Sequence, residues 1–165
     1  MAEQKSTDQM LNEKVFPSII LVLCLVGVIL YFTTDFSGWF VYPSVYGYVW
    51  LFSSKAFPWS VLLILPLIGG FVITGFFSFM TLFKSSSHWA NQYKLIFWIS
   101  ITIASYTVLG AIIFLLTVLD ATEWWFDAAF WAGLVGGGLN ALFSYLILRS
   151  RGESIKLVLR RQKSN

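Results

Sequence analysis

Four nearly unbroken apolar stretches, residues 15–34, 59–83, 95–119 and 128–148, alternate along the chain with connections that hold the charged residues. Each is long enough to cross a hydrocarbon core of roughly 30 Å, which takes about 20 helical residues. Within lipid a spanning segment of this kind must be helical, because backbone N–H and C=O groups find no partner there except in their own helix. The pattern therefore predicts an all-α polytopic membrane protein: a four-helix transmembrane bundle with an aromatic-rich extracytoplasmic loop between helices 1 and 2. Residues 1–14 form an N-terminal arm, residues 149–165 a basic tail, and the whole chain one membrane domain.

Small and weakly polar residues recur at helical spacing within three of the stretches, the arrangement that lets membrane helices approach closely. Pro66, Gly70, Thr74, Ser78 and Thr81 do so in the second, and Thr102, Tyr106, Gly110 and Thr117 in the third. Gly133, Gly137, Asn140, Ala141 and Ser144 make the clearest stripe, in the fourth. The pair Gly133 and Gly137 fits packing within the chain, with self-association as the alternative reading. Asn140 is an amide deep inside a span and needs a hydrogen-bond partner; Ser or Thr hydroxyls on the second or third helix are expected to supply it. Pro66 with Gly69 and Gly70 marks a candidate hinge, or a static kink, because proline removes one backbone bond from its helix.

The connection from Asp35 to Pro58 breaks the simple pattern. Trp39, Phe40, Tyr42, Tyr46, Tyr48, Trp50 and Phe52 are bulky, but Gly38, Pro43, Gly47 and Lys55 interrupt them. A fifth span over 38–57 would leave only Pro58 as a turn before the next helix, too short for antiparallel neighbours. An interfacial flap is the expected form, since Trp and Tyr suit the headgroup region; a re-entrant segment lining a pocket is the alternative.

Charge gives the bundle a direction. Ten of the eleven Lys and Arg residues flank one side: Lys5, Lys14, Lys84 and Lys94, then Arg149, Arg151, Lys156, Arg160, Arg161 and Lys163 in the tail. The other side holds Lys55 with Asp35, Asp120, Glu123 and Asp127. Positive charge stays on the cytoplasmic face, so both termini are expected there. The acids Glu3, Asp8 and Glu13, and the lack of a small-residue cleavage site after residue 32, favour a retained first helix over a signal peptide. The tail can also form an amphipathic surface for anionic lipid or a cytoplasmic partner.

Composition agrees: 58% hydrophobic residues against 12% charged need an apolar solvent. Because the excess basic charge sits beside an apolar span, it points to a membrane surface and not to nucleic acid. Candidate chemistry is sparse. Cys24 lies in an apolar run and reads as a buried thiol. His88 stands in the loop beside Lys84 with no acid close in sequence, and one His with one Cys cannot supply a zinc site within one chain. Asp120, Glu123 and Asp127 could share a helix face and offer oxygen ligands to a hard cation, although solvated acids at an interfacial turn are the simpler reading. No phosphate-binding loop or dinucleotide fingerprint occurs, and no cofactor is expected. The function expected is a non-enzymatic membrane subunit or accessory protein, in lipid and in contact with other subunits or itself. A small channel or carrier without intramembrane ionisable residues is the alternative, and an enzyme acting on lipid comes third.

Overall fold

The structure, a computed structural model, describes residues 2–43, 45–51, 60–83 and 89–155. Lys55, Lys84, His88 and the tail residues Lys156, Arg160, Arg161 and Lys163 lie outside the described residues. The fold is mostly helical: α1 Ala2–Thr33, α2 Ser60–Phe83, α3 Trp89–Thr117, and a last helix made of α4 Ala128–Trp131, a π-helical turn Ala132–Gly136 and α5 Gly137–Ser150. Four helical segments are long and apolar enough to cross a membrane: Lys14–Thr33, Ser60–Phe83, Ala90–Thr117 and Ala128–Ser150.

The helices close a ring. Packing runs from α1 to α2, α2 to α3, α3 to α5, and from α5 with its π turn back to α1. Ile20, Ile64, Leu67, Phe71, Ile96, Phe114 and Ile147 are fully or almost fully buried between them. The outward faces are apolar too, with Val22, Leu25, Ile29, Leu62, Phe76 and Leu116 all exposed. Helices apolar all round suit lipid; the same surface in water would be one continuous adhesive patch.

Polar ties join neighbours around this ring. Ser78 Oγ donates to Pro17 O at 2.7 Å, tying α2 to α1. Tyr93 Oη donates to Thr81 Oγ1 at 3.1 Å and Tyr106 Oη to Leu62 O at 3.0 Å, tying α3 to α2. The last bond has a specific cause. Pro66 lies inside α2 and has no N–H for the carbonyl four residues earlier, which is that of Leu62. Tyr106 supplies the missing donor.

A three-stranded antiparallel sheet, absent from the all-helical expectation, lies across one end of the bundle. Its strands are β1 Ser37–Val41, β2 Val45–Val49 and β3 Glu123–Phe126, in the order β2-β1-β3. In register, Gly38 faces Tyr48 and Trp125, and Trp39 faces Gly47 and Trp124. The described part of the first long connection is thus a β-hairpin laid over the bundle end, as a capping flap would be, and not a fifth helical span. Aromatic and β-branched residues favour a pleated surface, and two glycines make room for indoles. A Cβ on Gly38 would overlap the Trp125 ring, and one on Gly47 the Trp39 ring. The inner face, carrying Trp39, Val49 and Phe126, rests on the helix ends. Trp39 and Phe126 contact Phe114 of α3 at ring-centroid distances of 6.0 and 5.8 Å, and Phe126 stacks on Phe130 of α4 at 4.2 Å.

The opposite end is closed by charge. α3 begins at Trp89, so Lys94, placed just outside the third span by the apolar pattern, lies within the helix and is buried. Gly152, at φ 70°, ends α5: its N–H donates to Arg149 O and that of Glu153 to Leu148 O, both at 3.0 Å. This turn sets Glu153 beside Lys94, with Oε2 3.1 Å from Nζ.

Candidate functional site

The bundle holds a polar centre. Cys24 of α1, Thr74 of α2, Ser100 and Thr107 of α3, and Asn140 and Ser144 of α5 are all buried. Asn140 Nδ2 donates to Cys24 Sγ at 3.4 Å, so its partner is a thiol on the first helix, not a hydroxyl on the second or third. Packing explains the change: α5 lies directly against α1, and Gly75 of α2 closes on the same cysteine, where an added Cβ would stand 3.2 Å from the cysteine Cβ. Ser144 Oγ donates to Asn140 O at 2.7 Å and Thr107 Oγ1 to Ile103 O at 2.9 Å, each satisfying itself on its own helix. Tyr31 Oη lies beside Thr107 Oγ1 over Gly133. Thr74 Oγ1, Ser100 Oγ and Asn140 Oδ1 have no hydrogen-bond partner among the described residues.

The other stripe residues build the contacts around this centre. Gly70 faces Ile103, Gly110 faces Leu63, and Gly133 faces Tyr31 and Thr107. Gly137 lets α5 approach the α3 backbone, since a Cβ there would stand 3.1 Å from Ala104 N and Ser100 O. Ala141 is buried with them. Gly69 faces open space, and α2 is helical through Pro66, Gly69 and Gly70. Thr102 is exposed and bonds to Trp98 O of its own helix at 2.9 Å. Sequence spacing missed Gly27, Gly75, Ser100 and Thr107; the last two lie one helical step aside from the third-span stripe.

Apolar clefts of about 360 and 410 Å³ open outward along the α2 and α3 seam, and one of about 320 Å³ between α1 and α2. The first is lined by Leu63, Tyr106, Gly110 and Ile113, the second by Pro66, Gly70, Trp98 and Thr102. Phe71, wedged against Gly27, Gly136 and Tyr31, fills the middle of the bundle.

The sheet presents a different surface. Strand alternation puts Phe40, Tyr46, Tyr48, Glu123 and Trp125 on its outward face. Tyr46 and Tyr48 are 64% and 41% exposed, and Tyr42, just beyond β1, is 78% exposed. Phe40 and Tyr46 lie 4.6 Å apart between ring centroids, and Tyr48 and Trp125 lie 6.1 Å apart. Acids surround this face without forming one helical row. Glu123 is in β3, while Asp127 caps α4, its carboxylate accepting from Ala128 N at 2.7 Å. Partial burial, and then the charge of Asp127, push the Asp35 carboxyl above its usual range. Among the described residues no group of three or more His, Cys, Asp or Glu could hold a metal ion, and Cys24 is a free thiol. Arg149 and Arg151 stand at the end of α5, away from the sheet.

Fold and surface together fit a multi-pass membrane protein with a small aromatic sheet across one end. No protein-family model, curated protein or solved structure matches the chain.

Proposed function

We propose that this chain is a non-enzymatic integral membrane subunit or accessory protein of a larger membrane assembly, a single membrane domain with its sheet on the extracytoplasmic side. The observation that carries the reading is where exposed and buried groups sit. Hydroxyls, an amide and a thiol are enclosed among the helices, while large aromatic rings stand uncovered on the sheet. Exposed aromatic patches of this kind mark contact surfaces.

Direction follows from charge. Lys14, Lys94, Arg149 and Arg151 are at the end remote from the sheet, and Asp35, Asp120, Glu123 and Asp127 are at the sheet end. The positive end belongs at the cytoplasm. There Arg149, Arg151, Lys156, Arg160, Arg161 and Lys163 would meet anionic lipid, at about 1 kcal/mol for each basic residue near the surface. Gly70, Thr74, Gly110, Gly133, Gly137, Asn140, Ala141 and Ser144 serve helix packing. Pro66, Gly69 and Gly70 are a fixed accommodation and not a gate, because Tyr106 already occupies the carbonyl that a moving hinge would leave bare. A channel through one bundle is disfavoured by Phe71 in its middle.

The test is native mass spectrometry of the protein extracted in several gentle detergents. Stable association with itself or with another membrane protein is expected. Recovery as a lone monomer in every detergent would refute the proposal.

A further inference from the structure

The two edges of the sheet differ. β3 is four residues long and carries Glu123, with Asp120 and Asp127 close on either side. Charge of this kind is how natural sheets protect an edge from further pairing. β2, Val45–Val49, is uncharged, contains no proline, and pairs on one side only among the described residues. Charge and proline, two of the usual protections, are absent from it.

Its sequence is also its own mirror. Val45-Tyr46-Gly47-Tyr48-Val49 reads the same in both directions about Gly47. Two such strands laid antiparallel about that glycine set Tyr46 of each opposite Tyr48 of the other, and glycine opposite glycine. Both tyrosines project from the outward face, so the opposed rings would continue the rows already present. Phe40 lies against Tyr46, and Tyr48 against Trp125, within one sheet. Across the junction the row becomes Phe40, Tyr46, then Tyr48 and Trp125 of the second copy. Cross-strand aromatic pairs of this type are what stabilise antiparallel sheets.

The symmetry also suits a membrane. The inner sheet face rests on the ends of α3 and α4, so an axis perpendicular to the sheet runs along the bundle. Antiparallel pairing that continues a sheet has its two-fold axis perpendicular to that sheet, and a closed pair results. Both copies then cross the bilayer in the same direction. We infer that β2 is the contact through which two copies of this chain associate, joining their sheets into one of six strands centred on Gly47. This deepens the assembly reading above, on which it rests, by naming the partner and the surface.

Cysteine pairing tests the register. Tyr46→Cys and Tyr48→Cys chains carrying different tags are co-expressed and mildly oxidised in their native membranes. Opposed residues on antiparallel strands fall within disulfide reach, and the native Cys24 is buried. A covalent dimer in the mixed sample, and none from either variant alone, is the expected result. No cross-link in the mixture, or equal cross-linking by each variant alone, overturns the proposal. A second measurement does not depend on cysteine chemistry. The native chain in lipid nanodiscs should show two copies by native mass spectrometry, and the double variant Tyr46→Lys/Tyr48→Lys, which opposes like charges twice, should show one. A native chain that carries a different membrane protein but no second copy overturns the β2 pairing and leaves the assembly reading standing; a native chain alone overturns both.

Discussion

Adjacent glycines in α5 occupy opposite surroundings. A Cβ on Gly137 would press on backbone atoms of α3, which cannot turn aside as a side chain can, whereas one on Gly138 would meet nothing within 4 Å. Gly137→Ala should therefore destabilise the fold by about 1–3 kcal/mol, the range for overpacking. Gly138→Ala should raise stability by up to about 1 kcal/mol through helix propensity. Unfolding titrations of both variants in one detergent would show the opposite signs. Asp35 gives a residue-level prediction in pH. Its folded carboxyl is held above its usual range by burial and by Asp127, so its ionisation opposes folding. Stability from this group is present below the unfolded-state value, near 3.9, and is lost as pH rises through the raised folded value. Asp35→Asn should melt at a higher temperature than the native chain at neutral pH, and the difference should vanish in acid. The need of Asn140 for a partner was legible in the residue itself. That the partner is Cys24 was not, because it depends on α5 packing directly against α1 to close the ring.

Among the elements, the long helices were read from their apolar runs to within a few residues, apart from α1, which begins at Ala2 and takes the charged N-terminal arm into the helix, and the early start of α3. Lys94 hid that start, because a lysine ends an apolar run unless a partner such as Glu153 offsets its burial. The sheet was hidden for a different reason. β1 and β3 belong to connections far apart in sequence, each is five residues or fewer, and the pockets for Trp39 and Trp125 exist only after the strands pair. Period-two alternation over so few positions does not stand out between glycines and a proline. The π turn, with Gly133 and Gly136 buried inside it, likewise left no mark in the spacing. At this scale the prediction concerns α2. Tyr106→Phe leaves Leu62 O without its donor on the lipid-facing surface of the bundle, where water cannot replace it, and should cost about 1–3 kcal/mol. In a Pro66→Ala background the new N–H bonds the same carbonyl within the helix, so the cost of Tyr106→Phe should largely disappear. A double-mutant cycle measures that coupling, and equal costs in both backgrounds would show that the two residues act independently.

At the scale of the molecule, hydropathy and charge carried most of what could be read from sequence. Four apolar helices follow from the solvent they need, and the proposed direction of insertion rests on ten of the eleven Lys and Arg residues flanking the spans on one side. The aromatic surface was legible only as a collection of rings in a loop; the sheet is what turns them into one face. The most direct test of the whole account is labelling by a membrane-impermeant thiol reagent in intact cells, on single-cysteine chains made with Tyr42→Cys or Ser154→Cys in a Cys24→Ala background. Cys at position 42 should react from outside, and Cys at position 154 only after the membrane is permeabilised. Labelling of position 154 in intact cells, or protection of position 42, would contradict an arrangement with the sheet outside and the basic end at the cytoplasm.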